Sequence, residues 1–511
     1  MAGETAAGSG GAALELRGIV RSFGPVRAND GIDLSVRWGE VHALLGENGA
    51  GKTTLMNIVY GLLSPDAGEI RVDGRPVRIA GPQDAIRLGI GMVHQHFMLI
   101  PQLTVAENVI LGREPAGRMG RLDRDAARRL VAGLSAEYGL EVDPAARIRD
   151  LPVGLQQRVE ILKTLSRGAR LLVLDEPTAV LTPAETERLF AIVRGLVGRG
   201  SAVIFITHKL GEVMDVADRI TVLRRGRVEA TTTPAESSPA ELARMMVGRA
   251  VALRVDKAPA RPGATMLEVR GLEVAGDRGQ PAVRGVDLEV RAGEIVGLAG
   301  VEGNGQDELV EAIMGLRAAR AGSVLVEGSD VSRAGTRRRI AGGLGHIPAD
   351  RHRSGIIQEL PVADNLVLSR FDRAPFAGAL VRRMRAVLDY ARELIARYDI
   401  RSRGPEEPCG DLSGGNQQKV VVARELSGAP RVLVAAQPTR GVDVGSIEFI
   451  HRRLIEHRDA GNAVLLVSSE LDEVLSLADR VAVVYRGRVV ATLEGADVDR
   501  DRIGLLMAGA A

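Results

Sequence analysis

A chain of 511 residues exceeds what one core of the usual ~100–200 residues organises, so two to four domains are expected. With 45% hydrophobic and 26% charged residues it is not disordered overall, and no run approaches the ~18 consecutive apolar residues of a membrane helix. Lys+Arg 67 against Asp+Glu 65 leaves a net charge of +2, which argues against broad nucleic-acid binding; the lone Cys409 excludes an internal disulfide framework, predicts no disulfide-linked partner and fits a reducing compartment.

In chain order, residues 1–12 read as a flexible tail: MAGETAAGSGGAA lacks the basic start and apolar stretch of a secretion signal, so a cytosolic chain is expected. Val41 to Leu45 reads as a strand buried on both faces and Thr53 to Tyr60 as a helix. Between them runs Gly46-Glu-Asn-Gly-Ala-Gly51-Lys52-Thr53, the glycine-rich pattern whose backbone N–H groups surround phosphates at a helix's positive end. Lys52 reaches the β/γ oxygens and the Thr53 hydroxyl suits Mg²⁺. Only 5 of the 67 basic residues are lysine, so a lysine at this position is more telling than composition would make it.

His96 to Asn108 is apolar for a loop and reads either as a locally buried segment or as a receiver for another protein's helix. Arg121 to Tyr138 reads as a charged amphipathic helix with a solvated face. Leu171 to Leu174 is a strand ending in Asp175 and Glu176; the first carboxylate can hold Mg²⁺, and the second can accept a proton from, or orient, an attacking water. Ala184 to Val197 (helix) and Ala202 to Thr207 (strand) continue an alternation that means a parallel sheet covered by helices.

The pattern then repeats. GEVHALLGENGAGKTTLMNIVYGL from Gly39 recurs from Gly293 at an offset of 254, and LPVGLQQRVEILKTL from Leu151 recurs from Leu412 at 261. Two copies of one unit follow, expected over residues 13–248 and 266–511, with a short linker at 249–265. Val381 to Tyr398 supplies the second copy's charged helix, so each copy is assigned a helical subdomain.

These residues together resemble a tandem ATP-binding-cassette ATPase, a resemblance that covers nearly all of both copies. It implies an α/β fold of two P-loop cassettes. The family's signature stands at Leu412-Ser413-Gly414-Gly415-Asn416-Gln417-Gln418, where glycines let backbone donors approach a phosphate at a helix start. By the same resemblance Phe23 stacks on adenine, Gln95 senses Mg²⁺ and water, and His208 faces the γ-phosphate. Gly46, Asn48, Gly49, Ala50, Gly51, Lys52, Thr53 and Thr54 then bind ATP, with Ser413, Gly414, Gly415, Gln417 and Asp443 joining from the other copy. Mg²⁺ falls to Thr53, Gln95 and Asp175, and catalysis to Glu176, His208, Lys52 and Gln95.

In this family the cassettes face head to tail, which sorts the residues by site rather than by copy. Site one is complete. Site two would use Gly300 to Asp307, where Gln306 replaces the lysine and Asp307 the hydroxyl; a neutral amide cannot offset phosphate charge and Asp307 adds repulsion. Ala436 and Gln437 replace the carboxylates, Ala349 the loop glutamine and Ser469 the histidine, and no aromatic matches Phe23. Pro152 and Val153 alter the first copy's signature, which would close this second site. The losses follow one site, so one hydrolytic and one degenerate site are expected.

A fused pair with this degenerate second loop resembles importers of simple sugars and nucleosides, and VHQHFMLIPQLTVAEN, LPVGLQQRVEIL and AAQPTRGVDVG look closest to the nucleoside branch. The resemblance implies ATP hydrolysis coupled to import, two transmembrane permease subunits, an extracytoplasmic solute-binding protein and a peripheral place on the cytoplasmic face of the membrane. Alternatives are a ribose/galactose-type importer ATPase, although sugar importers of this group usually keep acidic residues at 436 and 437, and a soluble tandem cassette that acts on ribosomes.

Overall fold

The computed structural model describes residues 11–94, 97–115, 122–178, 181–249, 257–378, 381–507 and 509. Gln95, His96 and Arg121, most of the expected tail and residues 250–256 of the expected linker lie outside the described residues. The chain divides into two units, Met1–Val251 and Ala252–Ala511.

The first unit holds two sheets. Val41–Gly46 lies between Arg219–Arg224 and Ala202–Thr207, followed outward by Leu171–Asp175 and Ile90–Val93; these strands pair in parallel, and Arg227–Thr232 closes the other edge antiparallel. Their near-continuous apolar sequences follow from burial on both faces. Alternate residues of one strand enter different cores: Leu171 and Val173 face one, with Ile204 and Ile206, whereas Leu172 and Leu174 face the other, with Val203 and Phe205.

Parallel strands alone do not describe the unit. A second sheet of four antiparallel strands, ordered Val26–Arg37, Ala12–Phe23, Ala67–Val72 and Arg75–Val77, corrects the purely parallel expectation. Its signal is the alternation Ile32, Leu34, Val36, all buried, with exposed Asp33, Ser35 being likewise outward. This sheet covers the first core together with helix Lys52–Val59, which buries Leu55, Met56, Ile58 and Val59.

Helices Val105–Ile110, Arg124–Tyr138 and Val153–Ser166 contribute to the second core, as the helical subdomain requires. Thr104 starts the first of these with a reciprocal cap, its hydroxyl accepting from Glu107 N while Glu107 accepts from Thr104 N. The apolar segment around it is therefore of mixed character: Val105, Val109 and Ile110 are core, whereas Met98 is 64% exposed.

The second unit repeats the plan. Its parallel strands run Leu344–Ile347, Val432–Ala436, Ala463–Ser468, Ile295–Ala299 and Arg480–Tyr485, with Arg488–Glu494 antiparallel at the edge. Its charged amphipathic helix is Met384–Arg397. Lys257, the first described residue after the linker gap, donates to the carbonyls of Leu477 and Ala478 and to Asp479, so this end of the linker is fastened to the second unit.

Candidate functional site

In an open parallel sheet the free ends of the strands gather the residues that follow them, and three such ends are adjacent here. The Val41–Gly46 strand runs into the glycine loop, its neighbour Ala202–Thr207 into His208, and the next strand, Leu171–Asp175, into Glu176.

The loop is shaped by backbone demands. Gly51 has φ 101°, and a Cβ there would collide with the Ala28 carbonyl oxygen, so only glycine fits the turn that starts helix Lys52–Val59. No side chain caps that helix start, which leaves its first N–H groups facing the loop. Ala50 N donates to Glu47 O at 3.1 Å, and Gly226 N donates to Ala50 O at 3.1 Å. Asn29, fully buried, donates to Gly51 O at 3.1 Å.

Lys52 lies 6% exposed, its ammonium donating to Gly46 O at 2.7 Å and Glu47 O at 3.0 Å. Burial lowers its pKa, opposed by the charges of Glu176, Asp175 and Glu47. Asp175 is pushed up to about 6 by burial and by the adjacent Glu176, with Lys52 opposing. Glu176 goes the other way: burial raises it, but the hydrogen bond and charge of His208, together with Lys52 and Lys209, outweigh that and hold it below the ordinary range. His208 Nδ1 and Glu176 Oε1 are 2.9 Å apart. Glu176 sits at φ 45°, a conformation uncommon for a side-chain-bearing residue, fixed by its N–H to Ile206 O at 2.9 Å.

Two carboxylates repel beside one buried ammonium, and Thr53 stands in the first helical turn. Hard oxygen donors with unbalanced negative charge fit a small divalent cation such as Mg²⁺. Phe23 is no core residue. It is 46% exposed at the end of a hairpin, with the Arg21 guanidinium 5.1 Å from its ring centroid, and so has a ring face open to a base.

The second unit keeps the backbone and changes the charge. Gly305 has φ 100° and would, with a Cβ, collide with the Ala282 carbonyl oxygen, the same collision as at Gly51. Gln306 Nε2 donates to Val301 O at 3.0 Å, reproducing the Lys52 bond to Glu47 O without its cation. Asp307 and Glu308 occupy the first turn, and Asp307 is raised by burial and by Glu302, Glu308 and Glu311. Gln437 keeps the unusual φ, 44°, and donates its N–H to Val467 O at 2.7 Å; its Oε1 accepts from Ser469 N and Oγ, both at 3.2 Å. Ala349 packs against the apolar core.

The signature lies in the same unit. Helix Gly414–Ser427 begins after Ser413 without a side-chain cap, so its N-terminal donors stay open. Ser413 is exposed and its hydroxyl accepts from Asn416 Nδ2 at 2.8 Å. Gln417 is placed differently from Ser413: it is buried, and its amide donates to Leu412 O at 3.1 Å and Cys409 O at 3.3 Å, holding the loop from behind. Asp443 caps helix Val444–Asp459 by accepting from Ser446 N at 2.8 Å, and a Cβ on Gly415 would collide with its carboxylate. The structure thus gives Gln417 and Asp443 roles within their own unit that sequence reasoning did not anticipate. In the first unit Pro152 precedes helix Val153–Ser166, also uncapped.

The chain is similar to known proteins over both units. A family model described as ABC transporter matches residues 29–179 and 283–440. The guanosine import ATP-binding protein of Bacillus subtilis is 48% identical over 97% of both chains. The nucleoside import ATP-binding protein of Lactococcus lactis is 47% identical over 97% of this chain and 98% of its own. A glucose import ATP-binding protein of Haloferax volcanii is 47% identical over 97% of this chain and 96% of its own.

Proposed function

The chain belongs to the ABC transporter family, and from that premise we propose that it is the ATP-hydrolysing subunit of an importer, with nucleosides as cargo ahead of simple sugars. Two transmembrane permease subunits and an extracytoplasmic solute-binding protein complete the machine, and the chain sits peripherally on the cytoplasmic face of the membrane. Among the described residues no helix is long and apolar enough to cross a membrane, which suits a subunit that drives separate permeases.

The observation that carries the reading is the convergence of Lys52, Asp175, Glu176 and His208 at one sheet edge, against uncharged counterparts in the second unit. Glu176, kept ionised and oriented by His208, takes a proton from the attacking water or aligns it. Lys52 offsets charge developing on the transferred phosphoryl group, and Phe23 stacks on the base. Mg²⁺, held by Thr53, Gln95 and Asp175, would neutralise the phosphate oxygens. Ser413 and the backbone of Gly414 and Gly415 complete the phosphate face from the other cassette, whereas the second unit's own loop, with Gln306 and Asp307, does not hydrolyse.

Uptake of radiolabelled guanosine and of ribose by cells expressing the complete transporter tests this. Guanosine uptake that Lys52→Ala abolishes and excess ribose leaves unchanged supports the nucleoside reading. Ribose uptake without guanosine uptake transfers the function to sugars, which the glucose-importing relative favours. A chain that co-purifies with ribosomal RNA instead of membrane proteins overturns both.

A further inference from the structure

The offset between the two copies is not constant, and one place where it changes carries a contact network. Gln95 and Ala349 correspond at 254, but Asn108 and Asn365 correspond at 257. The flanks of this interval are built alike. Asn108 bonds both backbone groups of Ile100, Asn365 both of Ile357, and Lys163 donates to Met98 O at 2.7 Å as Arg424 donates to Gly355 O at 2.6 Å. The three additional residues therefore fall between Ala349 and Gly355, where the second unit forms a single wide turn, Arg351–Gly355.

This turn is tied on several sides. Asp350 starts it by accepting from His352 N at 2.9 Å and Arg353 N at 3.1 Å. Arg351 donates to Arg440 O at 2.8 Å and Gly441 O at 3.4 Å, and its Nη2 would stand 2.8 Å from a Cβ on Gly414. His352 Nε2 lies 2.9 Å from Gln417 Oε1. Gln417 already uses its amide NH₂ on the carbonyls of Leu412 and Cys409, so its oxygen is the acceptor and His352 the donor. In the first unit Gln156 makes the same bond to Leu151 O, at 2.9 Å, in the copy with the shorter segment.

We infer that Arg351 and His352 are positioning residues for ATP hydrolysis: they brace the signature, Leu412 to Gly415, and the Arg440–Gly441 loop as one piece. The brace accompanies the intact signature and is missing from the sequence that carries the altered one. The loop-glutamine position in this unit is Ala349, a methyl group packed against the core, so the segment is released from sensing a nucleotide and is available for this use. A signature held in place before closure loses less freedom when it meets the phosphate, an effect felt in kcat. The catalytic part of this inference rests on the reading that site one hydrolyses ATP and is closed by Ser413; the brace itself does not.

Steady-state ATPase of the full chain and amide hydrogen exchange of residues 412–416 test it together. Arg351→Ala is expected to lower kcat about tenfold and His352→Ala about threefold to tenfold, with KM for ATP changed less than about twofold. His352→Gln, which retains a donor, restores most of the rate. His352→Ala combined with Gln417→Ala costs no more than the worse single change. In nucleotide-free protein the 412–416 amides exchange faster in His352→Ala. His352 is exposed, so its removal opens no cavity, and it carries the test should Arg351→Ala fail to fold. Unchanged exchange overturns the brace. Faster exchange with wild-type kcat, or losses that multiply with Gln417→Ala, overturns its catalytic role. Lys52→Ala in the same assay keeps the two readings apart, because turnover surviving that change defeats the assignment of site one whatever Arg351 does.

Discussion

In the first unit a glycine at φ 101° opens a helix, a lysine folds back on the loop carbonyls, and a glutamate at φ 45° meets a histidine. In the second unit the glycine is at φ 100°, a glutamine folds back on the equivalent carbonyl, and a glutamine at φ 44° meets a serine. Backbone and hydrogen-bond directions have been kept while the charges of Lys52, Asp175 and Glu176 have been removed and a carboxylate, Asp307, stands where the first unit has Thr53. The loop's shape is set by glycines and by backbone bonds, so it survives loss of the lysine; phosphate chemistry depends on the few side chains that carry charge. The same division underlies the proposal that the first unit turns over and the second supplies the signature.

The sharpest way to break this comparison is to exchange the residues at its centre. Glu176→Gln installs in the first unit what Gln437 already is in the second, and ATPase activity should fall by about a thousandfold. Lys52→Ala should cost at least about a hundredfold through loss of electrostatic stabilisation. Gln437→Ala should leave the rate within about twofold. Equal losses from Glu176→Gln and Gln437→Ala in one steady-state assay would mean that both units turn over.

The signatures give the next effect. Ser413→Ala removes a hydroxyl from the intact helix tip and should lower kcat about tenfold. Pro152→Ser restores the hydroxyl to the signature proposed to serve the site without catalytic carboxylates and should change kcat by less than about twofold. A gain in rate from Pro152→Ser would show that the second site is only latent.

A third change asks whether the retained backbone still cradles phosphate. Gln306→Lys with Asp307→Thr returns the cation and removes the like charge, and the weaker of the chain's MgATP-binding steps should tighten about tenfold or more in calorimetry. Turnover should not rise, because Ala436 and Gln437 remain.

How much of this was legible beforehand depends on whether a feature is local. The strand, glycine loop and helix around Lys52 are specified within a few residues, as are two carboxylates closing an apolar strand, and both stand where the sequence places them. The alternating strand Val26–Arg37 is equally local, but its period of two is interrupted by Asn29 and Asp30 and is weaker than the runs buried on both faces. Gln417 sits in the signature motif, yet helix phase turns it inward to Leu412 and Cys409, and a motif carries no direction for a side chain. Asp443 was grouped with ligands, although its position just before Val444 marks it as a helix cap. The Arg351–Gly355 turn is hidden for another reason: the offsets 254 and 261 require insertions between the repeats, but an insertion has no counterpart in the first copy to mark its structure. Gln95 falls outside the described residues, and its role stays an expectation from resemblance.

The smallest effect compares the units away from the phosphate sites. Leu196 of the first unit is replaced in the second by His457, buried at 8% exposure. Burial brings its pKa down to about 4, against an opposing hydrogen bond that the ring donates to the Pro430 backbone carbonyl. The unfolded chain protonates this ring below about 6.5, whereas the folded unit refuses the proton until about 4, so unfolding takes up a proton within that window. Stability from this group is thus complete above pH 6.5 and is lost progressively as pH falls to 4, to a total of about 3 kcal/mol. His346, also brought down to about 4 by burial, acts in the same direction, and the first unit has Met92 there. His457→Leu should therefore remove roughly half of the histidine-linked acid sensitivity of the second unit. Urea midpoints at pH 7.5 and 5.0 followed by circular dichroism measure the change, while the single tryptophan, Trp38, reports the first unit. If the pH dependence of the dichroism transition is the same in His457→Leu as in the parent, the ring is already protonated in the folded unit, and the exchange of Leu196 for His457 does not set the copies apart in acid.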